Sequence, residues 1–578
     1  YLDNKHLKTS NFDVAYSRGW TGKGSTVVIA DTGADINHVD LDNNVKHHKV
    51  FYGMVDDVTN ASEHGTHVSG ITGAEKNNNG MHGAAFDVNL AIAKVGEGHY
   101  YSFHKAKEAA IWGKKLNAVA INLSAEMRLD NYFLNSLQKT SKGNYYSTHY
   151  HYGVNGYSGS VNEAYSWKDA IGKEMVIVKA AGNAGRDYSA GMNQMAHATD
   201  KNGNLILDGQ MIIVGNWDSN NNTINGSSNK AGTVCATYEN NVCIDAAKVK
   251  DFYIMANGTN VTSTKSGGGY VTMTGTSMAA PVVTGSIAVL HQMWPHMKGK
   301  HLVQLVLVTG NKNFSNYDEN IHGQGLLDMD NATRPVGATG IPTTGRANGN
   351  ISNISGGVVT GGVSAGQITA LTRVMVLDEF DRDFYVDLGG MTQSIDTRTA
   401  SVAKQMGAVN YFQPYFNGDQ QIYLPVYNTD TTTISVGVGH SDGQFLGNAF
   451  KGTLGTSSDS TTVYTNIDYT NGGFYAQAGL GFTKVNWDTT NSLMKNGETV
   501  ISSTATLGYE ITNNNHTYGL SVSQPVTIES NNVTYSMPSS VNLNGSINYT
   551  YLIQNGINKT RAGKDVLKQM EYPAEITE

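Results

Sequence analysis

Five runs of consecutive apolar residues constrain this chain more than any other feature. They are STVVIAD (25–31), VNLAIAKV (88–95), NAVAINLS (117–124), EMVIVKAAG (174–182) and QMIIVG (210–215). Apolar residues without polar alternation mark strands buried on both faces, as in a parallel sheet covered by helices. Helical patterns rich in small residues stand around them at 63–75, 103–116, 161–174 and 278–294. Strand and helix in turn read as an α/β domain with a doubly wound parallel sheet over residues 1–335. The long Tyr- and Asn-rich stretch 127–160 interrupts the rhythm and reads as an insertion.

Beyond residue 335 the pattern changes. From about 370 the apolar residues alternate. In GFYAQAGLGFT (473–483), Phe474, Ala476, Ala478, Leu480 and Phe482 share one face, and Tyr475, Gln477, Gly479, Gly481 and Thr483 share the other. ATLGYEI (505–511) and VNLNGSINYTYLI (541–553) alternate likewise. The reading is an antiparallel all-β domain, sandwich or barrel, over 370–555. A Gly/Ser/Thr-rich linker, 336–369, precedes it, and a charged tail, 556–578, expected to be mobile or loosely docked, follows it.

Composition narrows the function classes. The net charge of -8 argues against nucleic acid as the main partner and suits a secreted protein. No apolar run approaches the ~18 residues of a membrane-spanning helix. The opening YLDNKHLKTS lacks both an initiator Met and a leader pattern, so a signal or pro-segment is expected to have been removed, or the sequence trimmed.

Three short stretches carry chemistry. VVIADTG ends a buried strand with Asp31, HGTHVSG opens a helical pattern with His64, and GTSMAAP opens another with Ser277. In open α/β sheets, sites form beyond the carboxyl ends of strands, beside helix N-termini. A serine hydroxyl is a poor nucleophile until an imidazole takes its proton and a buried carboxylate orients that imidazole. At a helix start, Ser277 has partial positive charge behind it, and its N–H is free to face an oxyanion. Gly275 and Thr276 leave room for a substrate carbonyl, Met278, Ala279 and Ala280 let the helix enter the core, and Pro281 is expected in the first turn. His67 reads as a packing histidine, and His149 and His151 lack evident partners for a metal.

Together these motifs resemble the subtilisin-like serine proteases, whose chain order is also Asp, His, Ser. The resemblance covers about residues 10–335 and includes AAGN with Asn183. It implies that Ser277 attacks a peptide carbonyl, His64 acts as base and then acid, and Asp31 orients His64. It assigns the Asn183 side-chain amide to the oxyanion hole, a role whose loss costs about 10²–10³ in turnover in subtilisin itself. It implies that Ser124, in NLS, binds substrate by β-pairing, with Gly182 on the opposite wall. The glycines usual after that serine are replaced by Ala125, Glu126 and Met127, which leaves P1 preference open. No cofactor or catalytic metal is implied, but EKNNNGMHG (75–83) has the position of a calcium loop in some of these proteases, so structural calcium enters as an expectation beside a plain turn.

Cys235 and Cys243 are either two buried thiols or one disulfide closing a short loop, and an oxidising compartment favours the disulfide. The pair, and the β-rich second half, are similar to the autotransporter subtilases of Gram-negative bacteria, in which the protease precedes an outer-membrane barrel. A soluble β domain packed on a partner stands as the alternative. Two functional classes follow. One is a secreted or cell-surface endopeptidase acting on proteins or peptides. The other is a surface assembly protein whose protease serves self-maturation and whose β domain binds a partner or the outer membrane.

Overall fold

The computed structural model describes residues 4–53, 57–59, 62–98, 100–125, 137–139, 145–147, 157–189, 191–234, 236, 238–239, 242–243, 245–342 and 345. Further on it describes 351–352, 358–360, 373–388, 392–394, 421–441, 444–445, 448–449, 460–485, 493–497, 499–513, 516–530, 533–554 and 568–570. The chain divides into two compact units, Tyr1–Arg334 and Pro335–Glu578.

The first unit is built on an eight-stranded sheet. Its strands are β1 (Thr26–Asp31), β2 (Val45–Val50), β3 (Asn89–Lys94), β4 (Ala120–Leu123), β5 (Val176–Ala180), β6 (Met211–Asp218), β7 (Thr223–Ile224) and β8 (Tyr253–Asn257). The spatial order is β7-β6-β5-β4-β1-β3-β2, with β8 also beside β6. All neighbours are parallel except β6 and β7. The order reverses between β1 and β4, the crevice where open sheets place their sites. The five apolar runs became β1, β3, β4, β5 and β6, and each is buried along nearly its whole length. The polar run VKHHKV became β2, an edge strand whose middle residues are exposed, so it carries neither of the usual strand signals.

The helices that position the site are α1 (Glu63–Gly73), α2 (Phe103–Lys115), α3 (Tyr157–Ile171), α4 (Thr276–Met293) and α5 (Gly299–Val308). Every residue of α4 from Thr276 to Leu290 is buried. A helix apolar on all sides belongs inside the protein, and α4 packs against α1, β4, β5, β6 and β8. A hairpin, β9 (Val261–Thr264) with β10 (Tyr270–Met273), leads into α4. Of the stretch 127–160, most lies outside the described residues; in the described part Leu137–Lys139 pairs with Tyr145–Ser147, and α3 begins at Tyr157.

The second unit contains an antiparallel six-stranded meander: β11 (Gln421–Asn428), β12 (Thr432–Ser441), β13 (Ser460–Asn471), β14 (Phe474–Val485), β15 (Val500–Asn513) and β16 (His516–Ser530). Its polar face is the buried one. Thr462, Asn466, Thr483, Ser502, Thr504 and Thr506 are buried, whereas Val463, Leu480, Phe482, Leu507 and Val522 are exposed. Register confirms that these are two continuous faces: Val438, Val463 and Phe482 lie side by side, and Thr462 faces Thr483. Four shorter strands form a second sheet with Val533–Val541 and Ile547–Gln554 at its centre. The stretch 541–553, which alternates throughout, is not one strand: the chain turns over Asn542–Gly545, where the Gly545 N–H donates to the Asn542 carbonyl at 2.8 Å and Gly545 has φ 78.

Candidate active site

Strand β1 delivers Asp31 to the carboxyl edge of the sheet, 2% exposed. Its Oδ1 accepts from the Thr32 backbone N–H at 2.8 Å, the Thr32 hydroxyl at 3.2 Å and His64 Nδ1 at 2.9 Å. Oδ1 is the acceptor in the two Thr32 bonds and in this one, so Nδ1 carries the proton and the neutral ring presents its lone pair at Nε2. The close approach depends on Gly65. A Cβ there would lie 2.0 Å from the Gly33 carbonyl oxygen, so only glycine lets α1 start against the Asp31 turn. Burial disfavours the charged form of His64, but the charge of Asp31 and its hydrogen bond outweigh it and hold the imidazole above its ordinary pKa.

Ser277 is the second residue of α4 and is 9% exposed. Its hydroxyl donates to the Ser124 carbonyl at 3.1 Å, and the Ser124 hydroxyl donates back to the Ser277 carbonyl at 2.9 Å. The second bond explains Pro281. The helix begins at Thr276, so Pro281 is its sixth residue, not part of the first turn as expected. A proline lacks the N–H that would bond the carbonyl four residues back. That carbonyl belongs to Ser277, and it is therefore open to Ser124. Ser124 is itself set by Asn122, whose Nδ2 donates to the Ser124 hydroxyl at 2.9 Å, while Thr284 donates to Asn122 Oδ1 at 3.0 Å. Helix and strand are thus tied by a line of buried polar groups, each with a partner, as burial requires.

Asn183 follows β5. Its Oδ1 accepts from the Thr276 N–H at 2.8 Å and the Thr276 hydroxyl at 3.1 Å. Two donors on the oxygen fix the amide's orientation and turn its NH₂ away from Thr276. Gly182 donates its N–H to the Thr276 hydroxyl at 3.2 Å, and its carbonyl accepts from the Asn229 N–H at 2.8 Å. Both backbone groups of Gly182 are engaged, so it offers a surface to a ligand and not a pairing edge.

The structure therefore joins Asp31 to His64, Ser277 to Ser124, and Asn183 and Gly182 to Thr276, and the helices that carry His64 and Ser277, α1 and α4, pack together. The motifs included Asn122 only as the start of NLS and did not single out Thr284 or Lys179. Lys179 is buried in β5 and donates to the carbonyls of Ala125 and, at 2.8 Å, Ala180. Its signal was present, as a lysine inside the apolar run VIVKAAG. His67 is buried and its Nε2 contacts the Val261 and Val271 carbonyls, both at 3.0 Å, a packing role. Cys235, His149 and His151 lie outside the described residues. Among the described residues no group of three or more His, Cys, Asp and Glu is placed to hold a metal ion, and no helix is long and apolar enough to cross a membrane.

Known proteins are similar to part of this chain. The family model described as the subtilase family matches residues 22–325. Subtilisin BL of Lederbergia lenta is 28% identical over 324 residues, 55% of this chain and 94% of its own. The major intracellular serine protease of Bacillus subtilis is 28% identical over 284 residues, 48% of this chain and 70% of its own. A probable subtilase-type serine protease of Deinococcus radiodurans is 26% identical over 379 residues, 60% of this chain and 44% of its own. With a sheet crevice that joins a carboxylate to an imidazole, and a serine at the start of a helix packed against the helix of that imidazole, the chain belongs to the subtilase family and is a serine endopeptidase.

Proposed function

We propose that Asp31, His64 and Ser277 form the catalytic triad of a secreted or cell-surface endopeptidase. The 2.9 Å bond from His64 Nδ1 to the buried Asp31 carries this reading, because it leaves Nε2 free to take a proton. In this mechanism the Ser277 hydroxyl leaves the Ser124 carbonyl and donates to Nε2. The proton passes to His64 as Oγ attacks the peptide carbonyl, and returns to the leaving amine. The resulting acyl-enzyme is hydrolysed by water through the same steps. The Ser277 N–H and the Asn183 amide stabilise the oxyanion. Fluorophosphonate labelling with peptide mapping, beside a casein assay, tests the assignment. Label on Ser277 and casein cleavage, both lost in Ser277→Ala, are expected; label elsewhere in folded protein would sink it. Neutral His64 is the active form, so kcat/KM rises with pH through its raised pKa. The acidic limb is therefore expected above the ordinary 6.5, and a flat profile from about pH 5 to 9 would exclude His64 as the base.

The inverted burial of the meander favours a second reading for the other unit: its apolar face meets the hydrocarbon of an outer membrane, as in a Gram-negative autotransporter. Membrane barrels turn apolar side chains outward and polar ones inward, with strands of about 9–11 residues across the bilayer. Strands β12 to β16, of 10, 12, 12, 14 and 15 residues, are long enough. Flotation of the full chain with phosphatidylcholine vesicles is the test. Co-flotation that resists high salt is expected, and protein left at the bottom would favour a soluble β domain. The Cys235–Cys243 disulfide belongs with this location, and thiol titration with and without reductant checks it.

A further inference from the structure

The loop at residues 75–83 has the position of a calcium loop in some subtilases, but its residues do not fit a cation. Calcium takes six to eight oxygen ligands. The carboxylate facing the loop is Asp40, 0% exposed. Both of its oxygens are already engaged by protein donors. Oδ1 accepts from Asn77 Nδ2 at 3.0 Å, and Oδ2 accepts from the Tyr270 hydroxyl at 2.7 Å. Asn77 thus turns its NH₂ towards the carboxylate, and the same NH₂ donates to the Val39 carbonyl at 3.0 Å. Its Oδ1 is taken by the Asn79 N–H at 3.0 Å. The amide faces the carboxylate with the wrong end for a shared metal.

The Tyr270 hydroxyl fills the space itself. Gly80 has φ 45, and a Cβ on it would lie 1.5 Å from that hydroxyl. The ring is held edge-on to His38, with centroids 5.7 Å apart. The loop is further closed by direct bonds. The Glu75 N–H donates to the Asp40 carbonyl at 2.8 Å, and the Glu75 carboxylate accepts from the Asn43 N–H at 2.7 Å and from its side chain at 3.0 Å.

We propose that Tyr270 performs in this loop the stapling that a bound cation performs elsewhere, so that the 75–83 loop is held without calcium. A ligand that binds only the folded state raises its stability; a built-in side chain makes that stability independent of ligand concentration. The inference concerns the loop and does not depend on the catalytic assignment.

The test uses the full chain carrying Ser277→Ala, to prevent self-digestion. Thermal unfolding is followed in excess EDTA and in millimolar calcium chloride, with trypsin cleavage after Lys76 as a local readout. The two buffers are expected to give the same Tm within about 1 °C and the same cleavage rate at Lys76. Adding Tyr270→Phe is expected to lower Tm by about 2–4 °C in both buffers and to speed cleavage at Lys76 severalfold. Should that variant not fold, Asn77→Ala removes the other donor to Asp40 and is expected to act in the same direction. Calcium that raises Tm and also protects Lys76 in the Tyr270 protein would overturn the proposal, as would a Tyr270→Phe chain with unchanged Tm and cleavage. A calcium effect on Tm with Lys76 unaffected would place the cation elsewhere and support the proposal for this loop.

Discussion

The sheet of the first unit and the meander of the second bury opposite kinds of surface. In β1 the residues Val27 to Ala30 are all 0% exposed, and helices cover the sheet. In β14, Thr483 is 0% exposed while its neighbour Phe482 is 44% exposed. Water drives apolar surface inward at about 25 cal/mol per Å², and the first unit obeys that rule. The second reverses it along a whole face, from Val438 through Val463 and Phe482 to Leu507 and Val522. The same chain therefore holds two kinds of burial, an apolar sheet under helices and a polar face buried behind an apolar one.

The largest effect that separates the units comes from Ser277→Ala. It should cost on the order of 10⁶ in kcat, as in subtilisin, and leave vesicle flotation untouched. A variant that lost flotation as well would break the separation.

Acid should distinguish them next. His6, His67 and His197 are buried in the first unit, and burial, first among the causes, lowers them to about 3, about 4 and about 3. Their folded pKa lies below the unfolded 6.5, so above that value they contribute no pH dependence. As pH falls below 6.5 the unfolded chain takes up protons that the folded one refuses. Each such histidine then costs about 1.4 kcal/mol of stability per pH unit, until its folded pKa is reached. The buried polar face of the meander is mainly serine and threonine, which do not titrate. Unfolding followed by hydrogen exchange from pH 7 to 4 should show the first unit opening while the meander stays protected. Simultaneous opening of both would contradict the contrast.

A charge on the outward face is the third test. Leu480→Arg places a cation on that face, at a cost of about 2–4 kcal/mol if the face lies mid-bilayer and near zero if it faces water. Reduced flotation with unchanged casein cleavage is expected. Equal flotation would refute the lipid-facing reading.

The smallest effect concerns the tie between strand and serine helix. Ser124→Ala removes a hydroxyl bond of about 0.5–1.5 kcal/mol, so kcat/KM should fall roughly 2–10-fold. An unchanged value would show that the open carbonyl left by Pro281 has no bearing on activity.

Local pattern carried much of this. The fold class of each half follows from its period, because a strand buried on both faces and a strand buried on one leave different spacings. Asp31, His64 and Ser277 stood out because their flanking small residues are read in short windows. Strand β2 and helix α5 did not stand out. The first is a polar edge strand, and the second follows the long α4 after a break of a few residues.

Sequence alone determined the class of fold, the order of the three motifs and the existence of two faces on the later strands. Tertiary structure decided which of those faces turns inward, since a period of two is the same whichever side is solvated. It alone joined Ser124 to the carbonyl that Pro281 leaves open, 153 residues apart in the chain. It alone set Tyr270 against Asp40, 230 residues away. Those contacts depend on where strands and helices meet, and no short window of residues holds both partners.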